Sequence, residues 1–90
     1  MVQILHVRVA APGTHESHIV EVRWYEPRSG NINIATTATM VDFLRDKQGR
    51  AYTCDGSRIA EVEWVDATPP YIRTKPDARI TDNLLALPKF

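Results

Sequence analysis

A single cysteine, Cys54, is all the thiol chemistry this 90-residue chain holds. One cysteine cannot close an intramolecular disulfide, so packing alone must hold the fold, and a reducing, cytoplasmic setting is the expectation. Long apolar runs are missing as well: no stretch approaches the ~20 residues that a bilayer-crossing helix needs. The opening Met-Val-Gln-Ile-Leu-His-Val-Arg lacks the basic, apolar and small-residue segments of a secretory leader. Net charge is absent too, because 11 Lys and Arg balance 11 Asp and Glu. No long-range field therefore draws the chain to nucleic acid or to a membrane surface. The sequence also has no G-x-S-x-G, P-loop or G-x-G-x-x-G stretch. A chain of this length makes one domain, which buries somewhat more than roughly 60% of its unfolded surface.

What is present is alternation. Ile59-Ala60-Glu61-Val62-Glu63-Trp64 alternates apolar with charged residues and shares four of six positions with Ile19-Val20-Glu21-Val22-Arg23-Trp24, forty residues earlier. Successive side chains leave a strand on opposite faces, so each block reads as a half-buried antiparallel strand. Val20, Val22 and Trp24 fall on one face, as do Ala60, Val62 and Trp64, with Glu21, Arg23, Glu61 and Glu63 opposite. Both tryptophans are expected to be largely buried.

Turn chemistry divides the remainder. Leu5, Val7 and Val9 alternate with His6 and Arg8 in a first strand at 2–10, which Pro12 and Gly13 stop. Further strands are expected at 17–26, 31–35, 50–55, 57–66 and 71–74, with Pro27-Arg28-Ser29-Gly30 and Asp55-Gly56 as turns. Met40, Phe43 and Leu44, with Val41, mark one stripe of a helix at 37–47; Thr36 or Thr37 would cap it, and Gly49 would take the left-handed position after it. A helical turn at 82–88, capped by Asp82 and stopped by Pro88, closes the chain. The fold class is α+β: a small antiparallel sheet of five to six strands with one helix on one face. The recurrence of strand pair, short strand and helix, with Val41-Asp42-Phe43-Leu44 opposite Thr81-Asp82-Asn83-Leu84 at the same offset, raises an internal ββ(β)α duplication.

Tyr71-Ile72-Arg73-Thr74-Lys75-Pro76-Asp77, followed by Asp82-Asn83-Leu84-Leu85-Ala86-Leu87-Pro88, resembles the tail signature of a family of small bacterial domains of unknown function. Its members end in tyrosine, an aliphatic residue, arginine, threonine or serine, then Pro-Asp, and finally Asn-Leu-x-x-Leu-Pro. The chain departs from that family in its longer first loop, 11–17. The resemblance implies the fold and brings no activity, ligand or catalytic residue with it.

Several groupings invite chemistry. His15-Glu16-Ser17-His18 supplies two imidazoles and a carboxylate, but its spacing is not that of H-E-x-x-H and no second ligand cluster exists, so no metal or other cofactor is assigned. Cys54 has no histidine near it in sequence and reads as a buried, inert thiol. No acid, base and nucleophile set is visible, and no catalytic residue is named. The candidate binding residues are Arg23, Tyr25 and Arg28 on the second strand and its turn, and Tyr71, Arg73, Lys75, Asp77 and Asn83 in the tail. Their interleaved bases and aromatics would suit a single strand of nucleic acid, yet the glutamates of the same face repel phosphate. Opposite charges such as Arg8 or Arg23 against a glutamate serve strand pairing instead, and Arg73 would bond a carboxylate or carbonyl of its own tail. The reading is a non-catalytic module that binds a protein or a second copy of itself, as monomer or homodimer, with no membrane partner. Weak nucleic-acid binding is the alternative; a small enzyme or metal-binding protein comes third. The short strands at 31–35 and 71–74 are the expected sheet edges.

Overall fold

Alternating sequence makes strands here, and the computed structural model describes them through residues 1–55, 58–75 and 84–90. In chain order they are β1 (Val2–Val9), a first 3-10 turn (Glu16–His18), β2 (Ile19–Glu26), β3 (Asn31–Thr36), the helix α1 (Thr37–Arg45), β4 (Ala51–Asp55), β5 (Arg58–Val65), β6 (Tyr71–Thr74) and a second 3-10 turn (Leu84–Ala86). One six-stranded sheet runs β3-β2-β1-β4-β5-β6. Four of its contacts are antiparallel. The central one, β1 with β4, is parallel and short, joining only Val2 to Ala51 and Gln3 to Tyr52. Parallel neighbours need a long crossover, and β2, β3 and α1 together supply it. The order of three strands and a helical element occurs twice.

Two bulges reset which residues face the core. Ile4 pairs with Trp24 and His6 with Arg23, so Leu5 is the extra residue of β1; Arg8 pairs with Glu21 and Val9 with Ile19, so Val20 is the extra residue of β2. An extra residue inverts the alternation beyond it. Val20 therefore points out, 41% exposed, and Ile19 goes in at 2%. The single-phase reading of both strands is corrected in this respect: Ile4 and Val7, three apart, are both buried, while Leu5 is only half-buried. Ile4, Val7, Ile19, Val22, Val41, Ile72 and Leu84 form the fully buried centre, each contributing roughly 1.5 to 3 kcal/mol before ordering entropy is subtracted. Trp24 and Trp64 pack against this centre from the helix side, mostly buried as expected but not fully enclosed. A nine-residue helix covers too little of the sheet to enclose them, and the Arg45 guanidinium lies 5.5 Å from the Trp64 ring.

Thr36 caps α1, its hydroxyl accepting the Thr39 N–H at 3.1 Å. Thr37 pins the first turn to the sheet by donating its buried hydroxyl to the Ile19 carbonyl at 2.6 Å. Met40 and Val41 are buried, with Phe43 and Leu44 packed beside them. Past the helix the left-handed residue is Gln48 (φ 53°), not Gly49. Glycine is required at 49 for another reason: a Cβ there would run into the Phe43 ring. Cys54 is exposed on β4, which corrects the expectation of a buried thiol: it is paired with Ile59 on the face opposite Thr53 and Ala60. The Asp55-Gly56 turn and the Asp82 cap lie outside the described residues.

The final segment completes β1. Beyond the two residues that β4 reaches, Val7 donates its N–H to the Pro88 carbonyl at 3.0 Å and accepts the Phe90 N–H at 3.2 Å. Phe90 is then held on the outward face with the guanidiniums of Arg8 and Arg23 each 4.7 Å from its ring centre. Among the described residues no helix is long and apolar enough to cross a membrane.

Candidate functional site

The outward face of the sheet carries most of the residues singled out in the sequence, and its ladder divides them into two groups. Arg23 and Tyr25 sit on β2, beside Ile34 and Ile32 of β3, and Arg28 lies in the turn between these strands. Tyr71, Arg73 and Lys75 belong to β6 or directly follow it, at the opposite margin of the sheet. Three strands separate the groups, so they do not form one basic platform. Asp77 and Asn83 lie outside the described residues.

At the β6 margin the charges are already paired. Arg73 donates to Glu63 of β5 at 2.7 Å, a partner on the neighbouring strand and not in its own tail. That hydrogen bond raises the Arg73 pKa above its ordinary value. Arg50 and Lys75 both reach Glu61 at 2.9 Å, and their hydrogen bonds hold the Glu61 carboxyl below its usual range. Across β1 and β2, Arg8 meets Glu21 at 3.1 Å, the cross-strand pairing expected of opposite charges. Tyr71 packs edge-on against His15, 5.5 Å between ring centres, and β6 also packs against α1. None of the four β6 residues is exposed.

The histidine loop is occupied with its own backbone. His18 Nδ1 accepts the N–H groups of Thr14 and His15, both at 3.1 Å. His15 Nδ1 accepts the Ser17 N–H at 3.0 Å and lies 2.9 Å from the Ser17 hydroxyl. Serine, histidine and the Glu16 carboxylate thus stand together within the stretch that the sequence singled out for its two imidazoles and carboxylate. Its geometry is that of a cap: the histidine lone pair is shared with a backbone amide, and Glu16 is 3.9 Å from Nε2, beyond hydrogen-bond reach. Ser17 also borders a groove of about 360 Å³ between Val20, the first turn of α1 and Pro69-Pro70-Tyr71. The charged groups of that groove, Asp42 and Arg45, are paired with each other at 3.1 Å.

The β3 margin is different in kind. All of its residues except Ala35 are exposed, with Ile32 at 56% and Ile34 at 51%. Its six residues, Asn-Ile-Asn-Ile-Ala-Thr, include no charge and no proline. Natural sheets guard their edges with such residues, or with a bulge or a covering segment, and an edge without them is a template for another strand. Sequence reasoning placed this strand at an edge, and the ladder puts it there. The two isoleucines were missed as site residues, although alternation with uncharged asparagine was the available signal.

Fold and margin together define a small α+β domain in which, among the described residues, one sheet edge is guarded and the other is not. Comparison with known families goes further: residues 3–88 match the family described as protein of unknown function DUF3892, and the chain belongs to that family. No curated protein and no solved structure matches the chain.

Proposed function

We propose that this domain is a non-catalytic binding module of the cytoplasm, which takes an extended protein strand onto the open edge of β3. The exposure of Ile32 and Ile34 on an uncharged outermost strand carries this reading. In strand addition the backbone hydrogen bonds give affinity, and alternate side chains give selectivity. Here the incoming strand would meet Ile32 and Ile34, backed by Tyr25 and Arg23. Single-stranded nucleic acid is less well supported, because Arg8, Arg50, Arg73 and Lys75 each already hold a glutamate.

Cross-linking the domain in native cell extract tests the proposal, with wild type compared against the Ile32→Lys/Ile34→Lys variant. A bound chain should be lost from the variant, and hydrogen exchange at the β3 amides should slow in the wild-type complex. Partners captured equally by both forms, with β3 exchange unchanged, would refute strand addition.

A further inference from the structure

We infer that a second copy of this chain is the strand that β3 receives, paired antiparallel about a two-fold axis through Asn33. This inference rests on the reading of β3 as the binding edge. Antiparallel strands related by a two-fold axis keep the same face of each sheet on the same side, so only registers that match outward residues with outward residues are open. With the axis at Asn33, Ile32 lies opposite the second copy's Ile34, Asn33 opposite itself, and Asn31 opposite Ala35. Moving the axis to Ile34 sets Ile32 against Thr36, and moving it to Ile32 sets Ile34 against Gly30. Only the Asn33 register places every exposed isoleucine against another.

The neighbouring strand extends the match. Tyr25 pairs with Ile32, and Arg23 with Ile34. Across the axis each row then reads Tyr25, Ile32, the second copy's Ile34 and the second copy's Arg23, and the row beside it is the same in reverse. Four isoleucines close over one another, with an aromatic ring and a guanidinium stem at the ends of each row. No like charges meet, because β3 carries none. The strand is thus complementary to itself, which is the requirement of an interface built from one patch used twice. A pair of six-residue strands buries less than a standard interface, so dissociation on the order of 10 μM is expected.

The test is sedimentation of the full chain from about 1 to about 500 μM, a span set around that value. It is joined to cysteine trapping in a Cys54→Ser background. Residues directly opposite in an antiparallel pair have Cα atoms about 4.5–5.5 Å apart, inside the range of roughly 4.4–6.8 Å that a disulfide spans. Asn33→Cys should therefore give a disulfide-linked dimer under mild oxidation. Ile34→Cys alone should not, because its copy lies two residues further along, about 6.6 Å of extra rise. Mixed Ile32→Cys and Ile34→Cys chains should cross-link. Ile34→Lys should weaken dimerisation at least tenfold while circular dichroism stays unchanged.

Dimerisation that Ile34→Lys leaves intact would overturn the inference by placing the contact elsewhere, and trapping through Ile34→Cys in place of Asn33→Cys would overturn the register. A monomer at every concentration also overturns it. In that case, slowed β3 exchange in an extract-derived complex would leave the strand-addition reading standing, and its absence would remove both.

Discussion

Gly49→Ala sends a methyl group into the Phe43 ring, where it meets Cζ and both Cε atoms at once. The backbone does not resist the change, because the left-handed position belongs to Gln48 and not to Gly49. The penalty is therefore steric, and its size is set by how far the ring yields into the cleft it borders with Val2, Trp24, Ala35 and Met40. Overpacking of this kind costs about 1–3 kcal/mol, and the smaller unfolded-state entropy of alanine returns about 0.4–1 kcal/mol. The net expectation is a loss of about 0–2.6 kcal/mol. Phe43→Ala by itself should cost about 3 kcal/mol, the low end for a phenylalanine because the ring is only half-buried. With the ring gone, the three atoms nearest the new methyl go with it, and Gly49→Ala should stabilise by about 0.4–1 kcal/mol. Urea unfolding of wild type, both single variants and the double variant, followed by tryptophan fluorescence, measures the coupling as midpoint shifts at constant slope. An equal Gly49→Ala penalty in both backgrounds would refute the steric account.

Other expectations concern charge. The Arg50 and Lys75 hydrogen bonds lower the Glu61 pKa below its ordinary 4.5. The stability this contributes is fully present above that value and is lost as the pH falls through the lower folded-state value. An NMR titration should give Glu61 a midpoint under 4.5 that rises in Lys75→Ala; a midpoint unmoved by that substitution contradicts the assigned cause. Labelled single-stranded DNA or RNA should bind no tighter than the order of 100 μM at physiological salt, since the outward cations are largely paired. Submicromolar binding that weakens in Arg23→Ala, with the fold retained, would put nucleic acid ahead of a protein strand.

The strands and the helix were legible in the sequence because alternation and turn residues are local signals. Tyr71 to Thr74 and the start of α1 fall where the pattern puts them. The phase of β1 and β2 was not legible. A bulge at Leu5 or Val20 is a property of two paired strands, and nothing in either strand alone marks which residue is the extra one. Likewise Gly49 resembles a helix-terminating glycine until the Phe43 ring is seen against it. The candidate site was legible in half: Arg23 and Tyr25 do flank the open edge, but Arg73 and Lys75 were grouped with them on residue type, and only the strand order shows them to be at the other margin. The serine, histidine and glutamate of the first turn show the reverse case, chemically suggestive neighbours in which the His15 Nδ1 lone pair already accepts the Ser17 backbone N–H.

The position of β1 has a consequence for how the domain comes into being on the ribosome. β1 emerges first and lies at the middle of the sheet, yet one part of its far edge is completed by Ala51 and Tyr52 and another by residues 88–90. The β1-β2-β3 meander can form early from contacts close in sequence, but it then waits with half a central strand unsatisfied until about fifty further residues, from Thr36 to Pro88, have been added. Contacts so distant in sequence slow folding, and a waiting strand edge is open to the wrong partner. Ribosome-bound chains cut short before Pro88 are thus the species in which misassembly of this domain should concentrate.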